Sequence, residues 1–240
     1  MTAVHWHARV RELCALYELP SSAGRSLVAL LDLLATDPRV PSTVTAPEAA
    51  VDVHLADSLV ALALEPALSA RTILDIGSGA GFPGLPLAVA RPDASVTLLE
   101  SNGRKCEFLT RAIDAAGVEN AHVVRARAEG FEGAFDVVTA RALAPLSVVA
   151  EYAAPVLACG GTLIAWRGKR EPEEEASAMH AADELGLSIG EIRQVQPFTG
   201  VEARNLHLMS KVKATPARFP RRTGVARKRP LGRASDRKRR

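Results

Sequence analysis

The sequence predicts a doubly wound α/β domain: a mostly parallel seven-stranded sheet with an antiparallel last strand, preceded by a helical N-terminal extension. Three observations lead there. From residue 71, five short apolar runs alternate with helical segments, as βαβ units around a parallel sheet require. Two further β-like runs then follow with no clear helix between them, which reads as a closing hairpin. A glycine-rich turn at 77–81 stands between the first strand and the next helix, where open α/β sheets bind ligands.

Residues 4–36 carry Leu13, Leu16 and Tyr17, then Leu27, Leu30, Leu31 and Leu34, at helical spacing. Pro20, Ser21 and Ser22 divide this stretch into two helices. Pro38, Pro41 and Pro47 predict a loop, and residues 48–64 resume helical character through Val51, Leu55, Leu59 and Leu62. Strands are expected at 72–76, 95–100, 121–125, 135–140, 162–166, 187–196 and 204–212, with helices near 84–91, 104–116, 146–157 and 172–185. After Lys213, Pro, Gly, Arg and Lys dominate and apolar periodicity stops. The expected organisation is a helical extension over 1–64, a ligand-binding α/β domain over 65–213 and a basic, flexible tail over 214–240.

The chain has 240 residues, 48% of them hydrophobic and 24% charged, enough for one buried core. No apolar stretch reaches the roughly 18 residues of a membrane span. The N-terminus lacks the apolar block of a signal peptide, so the cytoplasm is the expected location. Cys14, Cys106 and Cys159 are far apart and without metal-ligand spacing, which argues for free thiols in or near the core and against a metal site. Ten Lys or Arg against one Asp in residues 221–240 give that segment a net charge of +9 on a body of −6. Such an arm suits a polyanion or merely a solvated end. As an RNA anchor, its removal is expected to weaken RNA binding and leave cofactor affinity unchanged.

The most informative stretch is Leu74-Asp75-Ile76-Gly77-Ser78-Gly79-Ala80-Gly81-Phe82-Pro83-Gly84. Its glycines allow a tight turn and close approach of a ligand to the backbone. The segment 79–84 satisfies the dinucleotide pattern GxGxxG, a weak signal by itself. The longer string DxGxGxG adds a carboxylate, Asp75, two residues before Gly77. An acid there suits the cationic, amino-bearing end of S-adenosylmethionine better than a pyrophosphate. Glu100, ending the second strand, can accept both ribose hydroxyls in either case. Glu129, after the third strand, meets an adenine rim or is a solvated loop acid.

The fourth strand runs into Arg141-Ala142-Leu143-Ala144-Pro145, without the Asn- or Asp-Pro-Pro-aromatic tetrapeptide of exocyclic-amine methyltransferases and without a nucleophilic Cys. A site with neither base nor nucleophile fits an acceptor such as guanine N7, which has a lone pair and no proton to lose. Ribose 2′-O transfer stays open, given Lys105, Lys169 and nearby carboxylates. So do a small-molecule or protein substrate, and a nucleotide-binding scaffold without catalysis.

The sequence resembles the bacterial small-subunit ribosomal RNA guanine-N7 methyltransferases, the glucose-inhibited division protein B family. The resemblance covers about residues 50–232. It rests on His54, Asp57 and Ser58, the loop DIGSGAGFPGLPLA, LLES at 98–101, Arg104-Lys105 with Phe108-Leu109, RAE at 127–129, ARALAPL at 140–146, RGK at 167–169 and the ending KVKATPARFPRRTGVARKRPL. It implies a class I (Rossmann-like) methyltransferase with S-adenosyl-L-methionine as cofactor and small-subunit rRNA as partner. Cofactor contacts would fall on Gly77, Phe82, Ala128, Glu129 and Arg141, beside Asp75, Gly79, Gly81 and Glu100 from the fold logic. Two departures touch substrate contacts more than the chemistry: Val53 stands where the family often has Arg, and the Pro-rich 38–47 segment replaces a Tyr-Asn-Leu-Thr stretch.

No catalytic base is assigned; Arg141, Lys169, His54 and Asp57 are positioning candidates. His54 and Asp57, three apart on one helical face, form a structural pair or approach the target guanine. Arg167, Lys169, Arg221, Arg222, Arg227, Lys228 and Arg229 are candidate RNA contacts. Trp166 is expected to be buried against the sheet in preference to stacking a base. The acids from Glu171 to Glu175 suit a helix N-terminus. The sequence leaves the oligomeric state open, with a monomer the simplest expectation.

Overall fold

The computed structural model describes residues 4–201 and 203–232. Seven strands form one sheet: β1 (Thr72–Ile76), β2 (Ser95–Glu100), β3 (Ala121–Arg125), β4 (Phe135–Arg141), β5 (Leu157–Arg167), β6 (Leu187–Val195) and β7 (Arg204–Lys211). Their order is β3-β2-β1-β4-β5-β7-β6. β1 to β5 pair in parallel, and β7 runs antiparallel to both β5 and β6. The sheet is thus the expected one, with the last strand inserted between β5 and β6. Strand order reverses between β1 and β4, and a ligand crevice opens at the carboxyl ends of the strands there.

Among the described residues, ten α-helical segments accompany the sheet: α1 (Val4–Leu16), α2 (Ala23–Thr36), α3 (Pro47–Ala50), α4 (Asp57–Leu59), α5 (Glu65–Ser69), α6 (Gly84–Ala90), α7 (Gly103–Ala116), α8 (Leu146–Ala153), α9 (Pro172–Leu185) and α10 (Val225–Lys228). The α7 N-terminus is capped by Asn102, whose side chain accepts from the Arg104 and Lys105 amides. Alternate residues on each strand face opposite layers. Ile73, Val137 and Ile164 pack with Leu13, Leu27, Leu31, Leu85 and Phe108 on one face. Leu74, Val138 and Leu163 pack with α8 and α9 on the other. The N-terminal helices share the first core, so residues 4–64 rest on the sheet.

Four expectations are corrected. The helix foreseen over 48–64 is broken: α3 passes into a π-helical turn, Val51–Ala56, before α4. β5 begins five residues early, at Leu157, with a register shift opposite Phe135 and Val137. Cys159 is exposed on that strand, whereas Cys106 is buried. The tail from 214 is irregular up to the short α10, as expected, but over its described part it is packed against the body and not loose. Phe219, Ala226 and Leu231 are buried in the α8–α9 layer, and Arg221 forms a bidentate pair with Glu151, which is wholly buried on α8. The remaining part of the expected arm, 233–240, lies outside the described residues.

Candidate methyl-donor site

The loop after β1 is fixed by its own backbone. The Gly77 and Ser78 amides donate to Leu99 O at 2.8 and 3.2 Å, and Ser78 Oγ donates to Asp75 O at 2.9 Å. Gly77, Gly79 and Gly81 have φ of 74°, 58° and 94°, the left-handed region that favours glycine. A Cβ on Gly77 would also stand 2.6 Å from Leu143 Cδ1. At Gly77 the loop therefore closes on the segment after β4 with no room for a side chain.

Glu100 meets this loop. Its Oε2 accepts the Gly79 amide at 3.2 Å and its Oε1 the Asn102 amide at 2.8 Å. A carboxylate has about four lone-pair positions, so two remain for hydroxyl donors. Asp75 lies behind the loop and not in the cleft. Its oxygens accept from Thr139 Oγ1 at 2.9 Å and the Gly84 amide at 3.3 Å. Burial pushes its carboxyl up to about 6, against those hydrogen bonds. Asp75 thus fastens loop, helix and β4 together.

A cleft of about 430 Å³ opens over these strand ends, lined by Gly77, Glu100, Lys105, Ala128, Glu129 and Leu143 among others. Its size is that of a small-ligand site. Of the residues singled out in the sequence, Gly77, Glu100, Ala128 and Glu129 line this space, and Gly79 touches it through Glu100. Sequence reasoning missed Tyr152 and gave no cleft role to Gly224 and Arg227, which line the same space. Among the described residues, no group of three or more His, Cys, Asp or Glu could hold a metal ion. No helix among them is long and apolar enough to cross a membrane.

Phe82, His54, Asp57 and Arg141 form a neighbouring cluster. The His54 ring stacks on Phe82 with centroids 4.5 Å apart, and the Arg141 guanidinium lies 5.7 Å from the same ring. Arg141 Nη1 donates to Asp57 Oδ2 at 2.8 Å and to Val53 O at 3.0 Å; Nη2 meets His54 Nδ1 at 3.2 Å. His54 Nε2 lies 3.1 Å from Val44 O, which only accepts. Nε2 therefore carries the ring proton and Nδ1 accepts from Arg141. Burial, then the Arg141 charge, lowers the imidazole to about 4. Asp57 is wholly buried, its other oxygen 2.6 Å from Arg204 Nε, and Trp166 Nε1 donates to its carbonyl at 2.7 Å. His54 and Asp57 are therefore joined through Arg141. Trp166 is buried, as expected.

Both departures from the family pattern fall on this cluster. Val53 contributes a carbonyl, which any residue supplies, and the Pro-rich segment supplies Ser42 and Val44 to His54. Nothing in the sequence pointed to Arg204 as the second partner of Asp57.

The candidate RNA contacts divide. Arg167 pairs with Glu174 and donates to Ala144 O at 2.9 Å. Arg221 is turned inward to Glu151, which corrects its reading as an RNA contact. Lys169, Arg222, Arg227, Lys228 and Arg229 are exposed.

A family model described as GidB, rRNA small subunit methyltransferase G, matches residues 40–206. The chain belongs to this family. "Ribosomal RNA small subunit methyltransferase G" of Chloroflexus aggregans is 41% identical over 186 residues, 74% of this chain and 76% of its own length. The protein of the same description from Pelotomaculum thermopropionicum is 40% identical over 185 residues, 74% and 77% of the two chains. Among solved structures, the S-adenosylmethionine-dependent methyltransferase SibL in its apo form aligns with a TM-score of 0.53 at 16% identity, covering 65% of this chain and 55% of that one. The antibiotic-resistance methyltransferase Kmr aligns at 0.50 and 20% identity, covering 63% and 92%. At such identity the two structures establish the fold alone, that of the class I methyltransferases. The cofactor of this rRNA methyltransferase family is S-adenosyl-L-methionine, and the glycine loop and Glu100 lone pairs fit it.

Proposed function

We propose that the protein methylates N7 of one guanine in small-subunit rRNA, acting as a monomer in the cytoplasm. The observation that carries the acceptor assignment is the state of the titratable groups beside the β4 end. His54 keeps its proton against Val44 O and accepts from Arg141, Asp57 lies between two guanidiniums, and Asp75 is bonded to Thr139 and Gly84. Each holds a structural partner, and N7 asks for no proton to be removed.

S-adenosylmethionine supplies a methyl group on a sulfonium. In this reading Glu100 accepts from the ribose hydroxyls and the Gly77–Gly79 backbone lies against the donor. Ala128 and Glu129 meet the adenine end. Asp75 keeps the loop in shape from behind. Arg141 positions His54 and Phe82 beneath the loop, and catalysis is mainly alignment of the N7 lone pair. Lys169, Arg222, Lys228 and Arg229 are the proposed phosphate contacts, worth testing through the salt dependence of binding. The proposed organisation is a helical segment over 1–64, a catalytic segment over 65–213 and a C-terminal segment over 214–240.

The test is transfer of labelled methyl to small subunits from a strain lacking the modification, followed by chemical cleavage specific for 7-methylguanine. Label in rRNA with cleavage at one guanine is expected. Label without cleavage would move the assignment to another RNA position, such as a ribose 2′-hydroxyl. In single turnover the rate should be nearly flat from about pH 6 to 8.5, because no general base titrates; a slope near one would refute N7.

A further inference from the structure

The family match ends at residue 206, yet the donor cleft is completed by residues beyond it. Gly224 and Arg227 stand in its lining with Tyr152. The Gly224 amide donates to Glu129 Oε1 at 2.9 Å, and Tyr152 Oη meets the same oxygen at 3.4 Å. Arg227 Nη2 donates to Leu143 O at 3.2 Å. One short segment therefore ties the loop after β3 to the loop after β4, the two loops that flank the Glu129 end of the cleft. Both contacts to Glu129 fall on Oε1, and Oε2 is the oxygen left to accept from an exocyclic amine such as that of adenine.

The segment is held in place by a device of its own. The Arg221 amide and guanidinium bond Glu151 at 3.0, 2.8 and 2.5 Å, and the Glu151 carboxylate is fully buried. Leaving a buried carboxylate without its cation is costly, so Glu151 holds Arg221, and the chain after it, against α8. Phe219 and Ala226 seat the segment on either side.

We propose that residues 219–228 are the fourth wall of the methyl-donor site: Arg227 and Gly224 set affinity at the adenine end, and Arg221 with Glu151 is the positioning pair that holds them there. This rests on the reading of the cleft as the donor site. It reverses the sequence expectation that the basic tail is indifferent to cofactor. Arg227 is exposed and belongs to neither hydrophobic core; its bond to Leu143 O orders the β4 loop against the ligand.

The experiment measures binding of S-adenosylhomocysteine and of adenosine by calorimetry to the full chain and to Arg227→Ala, Arg221→Met and Arg221→Lys, with urea melting of each. Arg227→Ala should melt like the wild type and bind both ligands about tenfold more weakly, the factor one hydrogen bond is worth. Arg221→Met should weaken both ligands at least as much, and Arg221→Lys should recover part of the loss. An Arg227→Ala protein that binds S-adenosylhomocysteine with wild-type affinity overturns the proposal, as does a loss confined to S-adenosylhomocysteine with adenosine unaffected. If Arg221→Met does not fold, Arg227→Ala decides alone. A wild-type chain that binds neither ligand refutes the donor-site reading itself, a result distinct from the failure of the wall.

Discussion

Replacing His54 by Gln tests the buried cluster beneath the glycine loop through its pH dependence. Gln keeps a donor for Val44 O and an acceptor for Arg141 and cannot ionise. The ring is held to about 4 in the folded protein, by burial first and by Arg141 second, against 6.5 in a free chain. A histidine with a depressed folded value is neutral in the native state while the unfolded chain takes up a proton. Its stabilising contribution is therefore present above about pH 6.5 and is lost as pH falls towards 4. From these two values, going from pH 7 to pH 5 should cost the wild type about 2 kcal/mol more than His54→Gln. The groups facing the ring are Arg141 from β4 and, through it, Asp57, which Arg204 on β7 also engages. Asp75 has the opposite sign: its raised value weakens the fold as pH climbs from about 4 to 6. Both proteins keep Asp75, so it cancels in the difference. Urea unfolding at half-unit pH steps is the assay. Parallel stability curves for the two proteins would refute the buried neutral imidazole.

Asp57→Asn removes the single carboxylate between Arg141 and Arg204 and should lower the unfolding free energy by about 3–5 kcal/mol, read from urea midpoints. Gly79→Val places a branched residue at φ 58° and disturbs the amide that holds Glu100; calorimetry should show no S-adenosylhomocysteine binding while circular dichroism stays unchanged. Glu100→Ala should raise the S-adenosylhomocysteine Kd on the order of 10–100-fold, the worth of one or two charge-assisted hydrogen bonds, and shrink the ligand-induced rise in Tm. NAD should give no such rise in the wild type.

The first four strands were legible because each is a short apolar run bounded by turn residues, and β1, β2 and β3 begin and end where the pattern does. The start of β5 was not, because Ala158, Cys159, Gly160 and Gly161 carry no strand signal. That stretch is in the sheet because β4 offers it an edge, at the cost of a register shift. The π-turn at 51–56 has the same apolar spacing as an α-helix and leaves no mark on it. The donor loop was legible because its glycines are needed for conformation. The Arg204 pairing was not, because β7 meets Asp57 only through tertiary packing. The C-terminal wall escaped because Phe219, Ala226 and Leu231 recur at no regular period and each fills a separate gap beside α8 and α9. One signal was present: Glu151 stands alone in the apolar helix Leu-Ser-Val-Val-Ala-Glu-Tyr-Ala, and a buried acid demands a cation from elsewhere.

Net charge alone treated residues 221–240 as one feature, and the structure separates its parts. Arg221 is neutralised internally by Glu151, and Arg227 bonds Leu143 O at the cleft. Arg222, Lys228 and Arg229 face solvent, the last two at the end of the same four-residue helix that carries Arg227. Phosphate contacts made there would bear on the element proposed to wall the donor site. Coupling of binding free energies is reciprocal, so an RNA that orders this helix would tighten the donor by the same factor by which the donor tightens the RNA. A sequence composed only for solubility has no reason to direct one arginine of the run inward to a buried carboxylate and another to the loop after β4. The distribution of partners along the segment, more than its total charge, supports the proposed wall.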